Sequence, residues 1–238
     1  MCVQQVFLVD RVGNIQQAEE FWSEEKKLSL LTIRLQNWDQ PDYVKNFTTQ
    51  GFEVRPIPSA LYSFLLDMLD KDKMRPEPCA PSAHINCVPG EQPAKVEVVP
   101  VKDSKIVKTV LGKELKELAE TWSGVGLELS SVYGVRNYRR GARLALHVDR
   151  LATHVVSFIL NIQQQVDDGA PWYLDILDNN GEYSQVELEQ GEMVLYESAR
   201  LPHGRTSPFQ GESYMNIFVH FRPVTGWYEE NWAPYQSA

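Results

Sequence analysis

The chain is short of cysteine, of basic charge and of long apolar runs, and each shortage removes a class of protein. Its three cysteines, Cys2, Cys79 and Cys87, build no disulfide framework and fit a reducing compartment, with the cytoplasm as the expected location. Lysine and arginine total 23 against 32 aspartates and glutamates, a formal net charge of -9. A general nucleic-acid binder would show the opposite balance. No basic segment followed by a long apolar run opens the chain, so neither a signal peptide nor a membrane-spanning helix is expected. No internal repeat is visible, and no isolated Ser/His/Asp arrangement points to hydrolysis. The apolar fraction of 43% in 238 residues is that of an ordinary folded protein with a real core.

What is present changes texture near residue 125. Before it, Gln5–Val9 reads as a short strand, Gln16–Leu28 as a helix and Ser29–Leu35 as an alternating strand. Phe52–Pro58 is extended, and Ser59 is the expected N-cap of a helix over Ala60–Leu69, with Leu61, Phe64, Leu65 and Met68 on one face. Pro76–Pro93 holds Cys79, His84 and Cys87. A closed zinc site needs a fourth ligand, which is not near, so a long loop covering a site is preferred. Val96–Val101 is strand-like. Leu111–Trp122 reads as an amphipathic helix with Leu115, Leu118 and Trp122 inward, closed by Gly124.

Beyond it come short apolar strands at 127–135, 142–149, 154–162, 173–177, 184–188, 192–197 and 213–221. Asn179–Gly181 and Glu189–Gly191 serve as turns, and the pattern argues for a β-sandwich or jelly roll. The expected organisation is a helix-bearing extension over 1–125 packed on a core over 126–223. A tail over 224–238 follows, whose Trp227, Tyr228, Trp232 and Tyr235 are available to cover the barrel or a partner.

Within this core, Leu144–Asp149 reads as a strand. Residues two apart on a strand share a face, so His147 and Asp149 point the same way. His203 follows a further apolar strand, Met193–Tyr196. Two imidazoles and one carboxylate on one side of a metal suit non-heme Fe(II), with other positions left open for substrates and O2. The competing reading has His203 capping a turn and Asp149 pairing with Arg150. His154 and His220 sit at strand positions with no carboxylate nearby in sequence, and are left out of the ligand set.

Asn137, Tyr138 and Gly141, then His147–Val148–Asp149, then Pro202–His203–Gly204–Arg205 and a closing strand, resemble the prolyl 4-hydroxylase-like branch of the Fe(II)/2-oxoglutarate dioxygenases. The resemblance spans residues 126–223. It implies a mainly β fold: a double-stranded β-helix (jelly roll) core with packed helices from an α/β N-terminal extension. It also implies Fe(II) held by His147, Asp149 and His203, with 2-oxoglutarate and O2 as cosubstrates. Relatives that halogenate replace the carboxylate by a small residue, so Asp149 implies hydroxylation.

The chain departs from the family where 2-oxoglutarate is held. The lysine usual in prolyl 4-hydroxylases falls on Ser213, and a common tyrosine falls on Leu144. A cation must still face the distal carboxylate. Arg205, two residues after His203 and so on its face, is the first choice; Arg143, by strand parity with His147, and Arg222, closing the last strand, follow. Tyr138 matches a tyrosine that lines the site in the family, with core packing as the alternative. Asn137 precedes it. Trp172 is a candidate wall of the substrate pocket. Arg136, Arg139, Arg140, Arg143 and Arg150 form either a solvated basic face or a rim that attracts an anionic cosubstrate or acidic peptide, with Arg139 the substrate-side candidate. Tyr196 and Glu197 are read as strand packing and as a group behind the ligands.

The expected reaction is hydroxylation of an unactivated carbon in a prolyl residue of a protein or peptide. The alternatives are a free amino acid or small metabolite as substrate, or a cupin-like jelly roll that holds metal without turnover. Demethylation of nucleic-acid bases is a further rival, opposed by the net charge of -9. No membrane partner is expected.

Overall fold

The structure is a computed structural model that describes residues 40–42, 44–77 and 95–224. The expected elements before residue 40, the stretch with Cys79, His84 and Cys87, and the aromatic tail lie outside the described residues. Within them the chain forms β1 (Phe52–Pro56), α1 (Ser59–Met68), β2 (Arg75–Pro76), β3 (Val96–Val99) and α2 (Ser104–Ser123). Then come β4 (Leu127–Tyr138), β5 (Leu144–His147), β6 (Val156–Val166), β7 (Leu174–Leu177), β8 (Tyr183–Val186), β9 (Glu192–Tyr196), β10 (His203–Arg205) and β11 (Gly211–Pro223).

The strands make a seven-stranded sheet in the order β1-β9-β6-β11-β4-β3-β2 and a four-stranded sheet in the order β5-β10-β7-β8. All pairings are antiparallel. From β4 onward the chain passes back and forth between the two sheets, which is the expected jelly roll. Strands β1, β2 and β3 come from the segment before residue 126 and extend the larger sheet at both edges.

Strand β11 explains why the core reads as apolar runs instead of a clean alternation. It pairs with both β6 and β4, and both of its faces are covered. Met215, Ile217, Val219 and Phe221 face outward into a cluster with the helices. Tyr214 and Phe218 face inward into a second cluster between the sheets. By the same parity Asn216 and His220 face inward, and both are buried.

Helix α2 packs Val107, Leu111, Leu115 and Ala119, spaced four apart, against the outer face. It begins seven residues earlier than expected, because Asp103 caps it by accepting from the N–H groups of Lys105 and Ile106, both at 2.9 Å. Gly124 closes it at a φ of 73°, a conformation costly for other residues. Helix α1 differs from expectation at its start: Ser59 is its first residue, and Pro58 precedes it without a side-chain cap. No helix among the described residues is long and apolar enough to cross a membrane.

Candidate metal centre

His147 ends β5 and His203 begins β10, and the two are direct cross-strand partners with ring centroids 4.4 Å apart. His203 thus starts a short strand that the sequence pattern did not announce. The Nδ1 of His147 lies 2.7 Å from the Ala145 carbonyl, and that of His203 lies 2.8 Å from the Leu201 carbonyl. A carbonyl only accepts, so each Nδ1 carries a proton and Nε2 is the atom of each ring that is left to act as a ligand. Asp149 lies just past the end of β5, not within it, and is fixed by its backbone: its N–H donates to Ser198 O at 2.8 Å, and its carbonyl accepts from Gln40 Nε2 at 2.7 Å. Its Oδ1 is 3.6 Å from His147 Nε2, and the ligating atoms of His147, Asp149 and His203 all fall within 4.8 Å of one another.

The electrostatics favour a cation here. Burial lowers the pKa of His203 to about 4, with His147 adding to the effect, so the ring is neutral at neutral pH. Burial would raise the Asp149 carboxyl, but the imidazoles of His147, His220 and His203 outweigh it and hold the group well below the usual carboxylate range. Its Oδ2 is buried and has no hydrogen-bond partner among the described residues. A buried carboxylate held in its charged form beside two imidazole nitrogens attracts a divalent cation, which the three side chains can hold together. The donor set, two neutral nitrogens and one anionic oxygen, fits Fe(II).

Beside Asp149 stands a histidine that the strand pattern left out of the ligand set. His220 has a carboxylate close by after all: its Nδ1 is 3.6 Å from Asp149 Oδ2. The same nitrogen is 2.7 Å from Ser157 Oγ, and the ring stacks on His154 with centroids 3.9 Å apart. Burial lowers the His220 pKa to about 3. His154 Nε2 in turn meets the Tyr133 hydroxyl at 3.0 Å. The signal that could have found His220 is the period of two along β11, which puts it on the face of Tyr214, Asn216 and Phe218. Tyr196 packs its ring 4.7 Å from that of His203, edge to face. Glu197 Oε1 accepts from the N–H and hydroxyl of Thr48, tying the 44–51 segment to the strand end.

The arginine candidates separate clearly. Arg205 is buried between Trp172 and Tyr214, with its Cζ 4.7 Å from each ring centroid. Its Nη1 donates to the Trp172 carbonyl and its Nη2 to the Tyr214 hydroxyl at 3.3 Å. No carboxylate among the described residues pairs with it. Arg143 is exposed and precedes β5, so the parity expected to aim it inward does not apply. Arg222 donates to Glu128 at 2.6 Å on a half-exposed edge. Asn137 and Arg139 turn to the other face of the sheet, where both donate to Glu97 Oε2, at 3.0 Å and 2.8 Å. That removes both from the substrate side.

Ser213 also faces away, donating to Asn137 Oδ1 at 2.8 Å. Counting from the histidine therefore lands one residue off the inward position, which Tyr214 occupies. Tyr138 points inward, 5.1 Å from the Trp172 ring, and burial pushes its pKa up to about 12. Trp172 lies against Arg205, so it walls the cation. Of the basic stretch, Arg136, Arg139 and Arg140 pair with Glu77, Glu97 and Asp167.

The sequence matches no protein-family model and no curated protein. Solved structures are similar in fold. A prolyl hydroxylase from Trichoplax adhaerens, in complex with a hypoxia inducible factor oxygen degradation domain peptide, aligns with a TM-score of 0.54 at 12% identity, covering 90% of this chain and 98% of that one. A Pseudomonas putida prolyl-4-hydroxylase aligns with a TM-score of 0.51 at 17% identity, covering 78% and 99%. HygX from Streptomyces hygroscopicus, with nickel, 2-oxoglutarate and hygromycin B bound, aligns with a TM-score of 0.51 at 13% identity, covering 75% and 85%. At these identities the likeness establishes the fold alone, a double-stranded β-helix.

Proposed function

We propose that this chain is an Fe(II)- and 2-oxoglutarate-dependent dioxygenase that hydroxylates an unactivated carbon, with a prolyl residue of a protein or peptide as substrate. The observation that carries the reading is the triad: two Nε2 lone pairs and a buried, unsatisfied carboxylate converge inside a jelly roll. Iron with 2-oxoglutarate and O2 would supply the oxidising power, leaving succinate and CO2 as coproducts. The chain's own residues bind and orient. His147, Asp149 and His203 would hold the iron. Ala145 and Leu201 fix the two rings through their carbonyls. Arg205 would take the distal carboxylate of 2-oxoglutarate, because it is a buried cation two residues from His203 with no carboxylate of its own. Tyr138, Tyr214 and Trp172 surround it and exclude water.

Two of the similar structures are prolyl hydroxylases, which supports the prolyl reading, while HygX with hygromycin B bound supports a small molecule as the second. The segment before residue 126 belongs with the catalytic core on this reading, since β1 and β3 are strands of the core's own sheet. The test is anaerobic. Fe(II) and 2-oxoglutarate added to the protein should give a visible metal-to-ligand charge-transfer band that Asp149→Ala abolishes. O2 should then release succinate, faster with a prolyl peptide. Metal binding with no band would sink the reading in favour of a metal-holding jelly roll.

A further inference from the structure

Arg136 is an inward-facing arginine that the proposed chemistry leaves unused. It lies on β4 opposite Asn216 of β11, and its Cζ is 5.6 Å from the ring of Phe218 and 5.5 Å from that of Tyr133. Those rings lead to the metal site. The Tyr133 ring is 5.3 Å from the ring of His220, whose Nδ1 is 3.6 Å from Asp149 Oδ2. Tyr133 is 49% exposed, so this path opens to solvent.

One edge of the Arg136 guanidinium is taken. Nε donates to both oxygens of Glu77, at 3.0 Å and 2.9 Å, and Nη2 donates to Glu77 Oε1 at 2.8 Å. The opposite edge is not: Nη1 has no hydrogen-bond partner among the described residues and is not sealed from solvent. The side chains of the pair are only 18% and 14% exposed, and burial would lower the pKa of Arg136, but its bonds to Glu77 and the charge they face outweigh it and keep the guanidinium charged. A guanidinium has a second fork, at its Nη1/Nη2 end, that matches a carboxylate.

We propose that Arg136 is a carboxylate-binding subsite for the substrate, with Glu77 holding its inner edge and the Nη1 edge receiving the substrate's carboxylate. The proposal rests on the dioxygenase reading and narrows it to a carboxylate-bearing substrate, either a free amino acid or a peptide with its carboxylate near the carbon oxidised. With the carboxylate on Nη1, the body of the substrate lies along Tyr133, on the side of the sheet that faces His220 and Asp149. Glu77 sets the orientation and, as a like charge, weakens the affinity.

The test needs neither iron nor 2-oxoglutarate. The Nε–H resonance of Arg136, assigned by its loss in Arg136→Lys, is followed in the full chain while acetate or acetamide is added. Saturable shifts with acetate and none with acetamide are expected, and Glu77→Gln should tighten acetate binding about tenfold by removing a like charge beside the site. L-proline and N-acetyl-L-proline then separate the sources: tighter binding of the free amino acid marks a small-molecule substrate, and the reverse marks a peptide carboxylate. Shifts equal for acetate and acetamide, no shift with acetate, or weaker binding in Glu77→Gln overturn the proposal and leave a structural ion pair. A positive result beside a missing charge-transfer band would leave the subsite standing and the dioxygenase reading refuted.

Discussion

Replacing Arg205 by methionine isolates the cosubstrate anchor. Methionine keeps an unbranched apolar stem between Trp172 and Tyr214, so the packing survives. The Tyr214 hydroxyl keeps its bond to Leu188 O at 3.1 Å and its donor Asn161 Nδ2 at 3.2 Å, while it and the Trp172 carbonyl each lose the Arg205 donor. What disappears is a desolvated cation facing an incoming dianion. Truncating one member of such a pair costs about 2–5 kcal/mol, a loss of about 30-fold to 5,000-fold in 2-oxoglutarate affinity. Fe(II) affinity should stay unchanged, because Arg205 touches none of the three ligands. The assay is titration of the charge-transfer band, supported by thermal melts. In the Fe(II)-loaded wild type, 2-oxoglutarate at a hundredfold excess over its Kd should add about 2.7 kcal/mol, or roughly 5–11 °C in Tm for a chain of this size. Arg205→Met should show no such rise at the same concentration. A variant whose 2-oxoglutarate affinity falls less than about threefold, below the range for a lost charge pair, would refute Arg205 as the anchor.

Asp149→Asn should lower the Tm of the metal-free protein and remove any stabilisation by Fe(II), since the surrounding imidazoles hold the folded carboxyl below its usual range and so favour its charged form. A higher metal-free Tm would contradict that account. Gly204→Ala should destabilise by about 1–3 kcal/mol and weaken metal binding, because its Cβ would lie 2.8 Å from Leu144 O and 2.9 Å from Leu146 Cα, forcing β10 off β5. Chemical unfolding together with an Fe(II) titration checks both effects. Asp175 tests the pH dependence. Burial would raise its carboxyl, but hydrogen bonds from Tyr183, Thr206 and Gln185 hold it below its ordinary value of 3.8. A depressed carboxyl contributes stability that is full above the unfolded value and lost as pH falls through the lower folded one. Acid-unfolding curves of wild type and Asp175→Asn should therefore differ most above that unfolded value and converge below the folded one; parallel curves would contradict the assignment.

The elements legible in the sequence were those whose signal is local. The apolar run at 213–221 and the turns at Asn179–Gly181 and Glu189–Gly191 became β11 and the two positive-φ glycines Gly181 and Gly191. His147, Asp149 and His203 converge as expected. Tertiary facts were not legible. Strand β10 is three residues long, too short for any period, and exists because β5 and β7 flank it. Ser213 and Tyr214 differ only in facing, and a register shift between Gly211 and Ser213 defeats counting from His203. Asn137, expected on the substrate side beside Tyr138, and Arg139, expected there from the basic rim, both turn to Glu97 by alternation. Arg143 failed because β5 begins one residue after it.

The short strand His203–Arg205 has a consequence for how such a protein changes over time. It carries the proposed metal ligand His203 at one end and the buried cation Arg205 at the other, with Gly204 pressed against the neighbouring backbone between them. The spacing between the two functions is therefore a property of one rigid three-residue piece, and neither end can drift without carrying the other along. Moving the anchor to the following strand would require an inward cation at Tyr214 and a neutral side chain at Arg205 together. Either change alone leaves two buried cations or none, so the two arrangements are separated by a valley that single substitutions do not cross.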